Sequence, residues 1–407
     1  MSQQQTINQR CVGTTGETFN TTARKHGEYD CEHNFFRSAL LSGDGTSVIT
    51  HNEDQNLRTF VLPPDLLEDS EDPKSLVPYA SHASPTPIQS YALYPGFALQ
   101  DPSTTLVLSA TSEQPLTVCN ALDYNHVHAQ YPWVSPTTEA YYAANSLIFT
   151  QDGTRFIAGG KNLIAVFNCE YSHEGPEATF RTGHNRKARK LYGQQSMSCQ
   201  GIVNAMAIRP EDGVLAAGTT EREVGLYEAE GNGDCTTAFS VRGGGVGGEK
   251  MGGTGITGLK WSPCGNYLVI AERQAEVLQV YDIRNTLQRV SILAERQAQT
   301  TQRLGLDVIP TAEGHEVWAG GTDGVVRMWK NAGSEGGEQG PDVELKVHDD
   351  AVSSAVWHPS GVVLATCSGS RRLSGVYDDG EVGDGDDSQS ASLHASGADN
   401  TLRVWTM

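Results

Sequence analysis

The segment Leu304 to Trp329, LGLDVIPTAEGHEVWAGGTDGVVRMW, constrains the fold more than any other stretch of the chain. Leu304, Leu306 and Val308 alternate with small or polar residues, and a turn from Pro310 to Gly314 follows. Val317 to Ala319 form a second apolar run, Gly320 to Gly324 turn the chain again, and Val325, Val326, Met328 and Trp329 end the unit. Period-two alternation bounded by glycine and proline predicts three short strands joined by two tight turns. One such meander leaves an apolar face and two open edges, so it is marginal in water and needs copies beside it.

Copies are present. Phe35 to Leu62, Ile88 to Leu122, Ala143 to Phe167, Ile202 to Tyr227 and Ile256 to Asp282 repeat the pattern, and Val352 to Trp405 repeats it with an enlarged second turn. The register supports the reading. The pairs Gly45/Phe60, Gly153/Phe167, Gly213/Tyr227, Gly265/Tyr281 and Gly314/Trp329 are all 14 to 16 residues apart. In the seventh unit Gly361 and Trp405 are 44 apart, a surplus of about 29 that matches the acidic, Gly/Ser-rich stretch there. A further short strand is expected after the closing aromatic, at Ala178 to Arg181, Thr237 to Val241, Arg289 to Leu293 and Val343 to Val347.

Four strands per unit make a propeller blade. The chain stops at Met407, two residues after Trp405, so the seventh blade lacks its outer strand, and the segment within Cys11 to Ala23 is the unassigned piece that can supply it. Pairing the two ends would remove the last exposed edges. The expected fold is therefore all-β, a seven-bladed β-propeller closed by the N-terminal segment, and its units resemble WD40 repeats. Residues 1–30 form the polar segment and 31–407 the propeller, with acidic loop inserts at 65–72 and 373–396. The second insert is mostly Gly, Ser and Asp, with little to bury.

A chain of 407 residues with 38% hydrophobic content can bury a sizeable core. Its formal charge of -20 argues against indiscriminate binding to nucleic acid or an anionic membrane. Asp65 to Asp72 and Asp378 to Asp387 hold eleven of the acidic residues. No run is long and apolar enough to span a membrane, and the Gln-rich start has no signal-peptide core, so a soluble intracellular protein is expected. Eight cysteines lie far apart without a C-x-x-C, which speaks against both a disulfide framework and a zinc site. Gly243 to Gly248 matches G-x-G-x-x-G only formally, because neither the strand nor the helix of a dinucleotide site flanks it. No catalytic residue, metal or cofactor is expected.

Single cations recur where the second turn of a blade falls: Lys161, Arg222, Arg273, Arg371 and Arg372. With Tyr124 and His126 from preceding loops, and Lys187, they are the candidate RNA-binding residues, because a reader of unpaired RNA needs phosphate contacts and stacking groups at one rim. The competing explanation is that polar turns often hold Lys or Arg. Arg186 to Lys190 reads equally as a nuclear localisation or RNA-contact element and as a solvated loop.

Several stretches resemble the telomerase Cajal body protein family and its yeast splicing-associated relatives. They are FFRSALLSGDGTSVITHNEDQNLRTFVLP (35–63), Tyr124-Asn125-His126, EAYYAANSLIFTQDGTRFIAGG (139–160), GITGLKWSPCGNYLVIAERQAEVLQVYDIR (255–284), Thr301-Gln302-Arg303, and LATCSGSRR (364–372) split by the acidic insert from LRVW (402–405). The resemblance covers roughly residues 33–407. It implies a non-catalytic WD40 adaptor for the biogenesis or localisation of small nuclear or small Cajal body ribonucleoproteins, with telomerase RNA among the candidates. The alternative is a protein-interaction scaffold in nuclear pre-mRNA splicing without RNA contact of its own. Implied partners are small nuclear or Cajal body RNA and ribonucleoprotein proteins, with no membrane and a monomeric propeller inside a larger complex. The implied location is the nucleus, Cajal body-like or nucleoplasmic, with the cytoplasm as second compartment.

Overall fold

A computed structural model describes residues 9–19, 34–183, 199–243, 245–247, 252–285, 288–371 and 399–407. Arg186 to Lys190, Arg372 and the insert at 373–396 lie outside these.

The described residues form seven antiparallel sheets in a ring. Blade 1 runs outward through Phe36–Leu41, Ser47–Asn52, Asn56–Val61 and Ala80–Ala83. Blade 3 does so through Ser146–Phe149, Arg155–Gly160, Leu163–Asn168 and Ala178–Arg181. The expected outer strands at Ala178–Arg181 and Arg289–Leu293 form with those bounds, and the other two form as Cys235–Ser240 and Val343–Lys346. The first hairpin of blade 6 is tighter than expected, since Leu306–Thr311 pairs with Gly314–Gly320 and Thr311 lies opposite Gly314.

Local sequence explains the hairpins. Gly153 sits at φ 70, and a Cβ there would come within 2.5 Å of the Tyr94 ring, so the turn requires glycine for conformation and for space. Across the next turn Phe156 pairs with Phe167, their rings stacked 4.8 Å apart, the cross-strand contact that stabilises a sheet face.

The ring closes as expected. Arg10–Thr14 pairs with Leu402–Thr406 as the outer strand of blade 7, with Arg10 opposite Thr406 and Thr14 opposite Arg403. The inner strands of blades 1 and 7 are joined where the Ala39 backbone N–H donates to Ser354 Oγ at 3.0 Å. Two short parallel strands went unforeseen. Lys74–Ser75 lies against the N-terminal strand, and Gly337–Gln339 lies against Arg289–Leu293. Each caps an outer edge that would otherwise offer unpaired backbone groups.

Blade 7 also contains a buried polar network. His348 Nδ1 lies 3.1 Å from Asp399 Oδ2 and its Nε2 lies 2.7 Å from Thr366 Oγ1. Trp405 Nε1 donates to the same Thr366 hydroxyl at 2.9 Å. Asp399 ties together the chain on the two sides of 372–398, since it also accepts from Thr401 Oγ1 at 2.6 Å and from the Asp349 N–H at 2.9 Å. Burial alone would raise its pKa, but these donors hold the carboxyl far below the usual range.

Four histidines have pKa values lowered chiefly by burial: His51, pushed down to about 3, and His82, His315 and His348. As pH falls through 6.5 the unfolded chain takes up these protons before the folded one, so stability falls with them. The buried His51 and His348 each contribute up to about 1.4 kcal/mol per pH unit, and the half-exposed His82 less. Urea midpoints should therefore drop between pH 7.5 and pH 5, less steeply in His51→Gln. A flat profile would contradict this account.

Candidate functional site

In each blade the second turn and the connection to the next blade emerge on the same face, because both follow strands that run in the same direction. The central channel contains a cavity of about 810 Å³ that reaches this face at Arg273, Thr300 to Arg303 and Arg371. Its wall comprises residues of the inner strands of blades 1 to 5, the segment Thr300 to Arg303, and Ser370 and Arg371. Among the described residues that wall contains four arginines, Arg37, Arg273, Arg303 and Arg371, and no aspartate or glutamate. In a chain of formal charge -20 this is a local reversal of sign.

The turns and connections that carry the arginines set their places. Arg273 opens the second turn of blade 5, where its N–H donates to Gly255 O at 2.9 Å. Its Nε is buried and has no acceptor among the described residues. Arg303 lies in the connection from blade 5 to blade 6. Its guanidinium donates to Asn204 Oδ1, and to Asn145 O at 3.5 Å. The Gln274 N–H donates to Thr300 O at 3.0 Å, and Gln302 Nε2 donates to Gly369 O at 2.8 Å, so the 300–303 segment is fixed to blades 5 and 7. Burial, with Arg273 and Arg37 nearby, pushes the Arg303 pKa down to about 10. The Arg37 pKa is likewise lowered, first by burial and further by Arg371, against the pull of Glu53.

Among the described residues, Glu53 on the second turn of blade 1 is the acid that pairs with this cluster. Arg371 Nη2 lies 2.8 Å from its Oε1, and Arg37 Nε lies 3.5 Å from its Oε2.

The structure brings together some of the sequence candidates. Lys161, Arg222, Arg273 and Arg371 all occupy second turns on the cavity face, but Lys161 is exposed and is not part of the cavity wall. Arg222 is committed elsewhere, because its Nε and Nη2 meet the buried Glu272 carboxylate at 2.6 and 3.0 Å and bind blade 4 to blade 5. Burial raises the Glu272 pKa and the Arg222 fork opposes that rise. Tyr124 and His126 are in no loop at the rim. They belong to Asp123–Tyr131, the outermost strand of blade 2. Tyr124 is buried against blade 1, its hydroxyl 2.9 Å from Thr59 Oγ1 and its ring stacked on His82 at 5.7 Å. His126 is exposed on the outer perimeter. The physical reason is alternation: the Tyr124 side chain fills the gap between two blades, which spacing alone does not distinguish from a surface stacking group.

Sequence reasoning did not single out Arg37, Arg303 or Glu53. The available signal for Arg37 was a charged residue within an otherwise apolar inner strand, FFRSALL. Among the described residues no group of three His, Cys, Asp or Glu could hold a metal, and no helix is long and apolar enough to cross a membrane.

Residues 341–374 match the family model of the WD domain, G-beta repeat. The chain is 32% identical over 302 residues to the Guanine nucleotide-binding protein negative regulator 1 of Schizosaccharomyces pombe, covering 73% of this chain and 71% of that protein. It is 27% identical over 374 residues to the Telomerase Cajal body protein 1 of Mesocricetus auratus, covering 89% of this chain and 62% of that protein. With the Homo sapiens protein of the same name it shares 26% identity over 363 residues, 60% of that protein's length. The matches thus span under two thirds of the length of these Cajal body relatives. The seven blades and the relatives on both sides agree: the chain belongs to the WD40-repeat family that includes the fission yeast regulator and the Telomerase Cajal body proteins.

Proposed function

We propose that the chain is a non-catalytic RNA-binding adaptor for small nuclear or small Cajal body ribonucleoproteins, telomerase RNA among them, working in the nucleus within a larger complex. The observation that carries this reading is the arginine-lined cavity, with no acidic residue among its described wall residues, on the face where the second turns converge. A rim of this kind holds phosphates, while the acidic remainder repels polyanions that do not fit it. The names of the Cajal body relatives support the class of particle. The refined binding set is Arg37, Arg273, Arg303 and Arg371, with Lys161 exposed on the same face; Arg372 is a candidate by sequence alone. Tyr124 and Arg222 act in packing.

The test is binding of a small nuclear RNA hairpin against a scrambled control, for the wild type and for Arg273→Glu at matched folding. The wild type should prefer the hairpin, and the reversal should weaken binding roughly ten- to hundred-fold. Affinity should also fall steeply between about 50 and 200 mM salt. Equal affinity of both proteins for both RNAs would leave the protein-interaction scaffold in pre-mRNA splicing as the reading that stands.

A further inference from the structure

The arginine cavity has features that a flat electrostatic rim does not need. It is about 810 Å³ in volume and sits inside the channel, bounded by the inner strands of five blades. A double-stranded stem is far too wide to enter, whereas a nucleotide-sized ligand matches the usual range of roughly 300–1,000 Å³ for small-molecule pockets. The four cations among the described wall residues are all arginine. The planar fork of arginine suits oxyanions, and a site built for mere charge would use lysine as readily.

Two groups on the wall have unused hydrogen-bonding capacity. Arg273 Nε is buried without an acceptor. The side-chain amide of Asn145 has no partner among the described residues, although its backbone carbonyl receives Arg303. The cluster is also over-charged. Glu53 reaches Arg37 and Arg371, and Arg273 and Arg303 have no carboxylate partner among the described residues. A single carboxylate would balance only part of that excess, and a phosphate monoester dianion balances it better.

We propose that the cavity is a receptor for one phosphate-bearing nucleotide unit, its phosphate gripped by Arg273 and Arg303 and its base edge offered the Asn145 amide, with Glu53 as an internal anion that competes for Arg37 and Arg371. The proposal builds on the RNA reading for one source of the ligand, an unpaired nucleotide of a bound strand; a free nucleotide is the other. Its test is made without RNA. Calorimetry with uridine 5′-monophosphate, inorganic phosphate and the phosphate-free nucleoside uridine isolates the phosphate contribution. Uridine 5′-monophosphate should bind saturably and inorganic phosphate more weakly, both more tightly than uridine. Arg273→Gln, at a site whose side chain holds no structural partner, should weaken nucleotide binding roughly ten-fold or more. Glu53→Gln should tighten it, a gain that a purely structural glutamate would not produce.

Displacement of the nucleotide by the hairpin identifies an RNA strand as the source, and its retention identifies a free nucleotide. If uridine 5′-monophosphate binds no better than uridine, or binds wild type and Arg273→Gln alike, the receptor is overturned. Hairpin binding without nucleotide binding would remove this inference and leave the RNA reading intact. Nucleotide binding without hairpin binding would do the reverse.

Discussion

Deleting residues 1–19 should lower the melting temperature by roughly 10 °C, at about 2 °C per kcal/mol in a chain this large, and should make the protein self-associate. The deletion removes the outer strand of blade 7. Leu402 and Val404, both fully buried, lose their cover, and the packing of Val12 and Phe19 is lost. Phe19 meets Phe36 and Phe60 edge-on at 5.4 and 6.1 Å, and the Arg58 guanidinium lies 5.0 Å over its ring. The Thr15 N–H donates to Leu402 O and the Leu402 N–H donates back to Thr15 Oγ1, each at 3.0 Å. Two buried apolar side chains contribute about 1.5–3 kcal/mol each, and the strand hydrogen bonds bring the total to about 5 kcal/mol. The bared edge of Leu402–Thr406 would then template pairing with another copy. Scanning calorimetry and light scattering measure both effects. A melting curve within 2 °C of the parent and a monodisperse solution would show that the ring does not depend on this strand.

Asp399→Ala should cost about 3–5 kcal/mol in urea unfolding, because it strands several buried donors at once. His348 Nδ1, Thr401 Oγ1 and the Asp349 N–H all point at this carboxylate, and Arg403 Nη2 stands 3.2 Å from it. The residue directly follows the span 372–398, so it also fixes where the chain re-enters blade 7. Asp399→Asn keeps one acceptor oxygen and should lose about half as much. Because the folded-state pKa of Asp399 lies far below 3.8, its stabilisation is complete above that pH and fades as the carboxylate protonates in acid. The Ala variant should accordingly lose less than the parent on acidification. A cost below about 1 kcal/mol for Asp399→Ala would mean that the network is incidental to blade 7.

Much of the architecture was legible because it depends on local chemistry repeated seven times. Gly153 marks a hairpin since its backbone is left-handed and its Cβ position is taken by Tyr94. Phe156 and Phe167 face each other because alternation puts them on one side of adjacent strands. The missing outer strand of blade 7 could be counted, and Arg10–Thr14 was the piece left to fill it. The short caps Lys74–Ser75 and Gly337–Gln339 could not be counted in this way, since a strand of two or three residues carries no period.

The site was legible in part. The second turns placed Lys161, Arg222, Arg273 and Arg371 on one face, which periodicity determines. Which of them is available depends on residues distant in sequence. Arg222 is neutralised by Glu272, 50 positions away, and Arg371 meets Glu53 from the opposite end of the chain. Arg303 comes beside Arg273 only because the connection between blades 5 and 6 is tied back to the Arg273 turn and across to Gly369. The sequence by itself therefore determined the blade, its repetition and its face, since these follow from strand period and turn chemistry within about 50 residues. Tertiary structure alone decided which cations share a cavity and which are paired away, because closing the ring brings inner strands from five blades to one channel and sets the charges that face each other there.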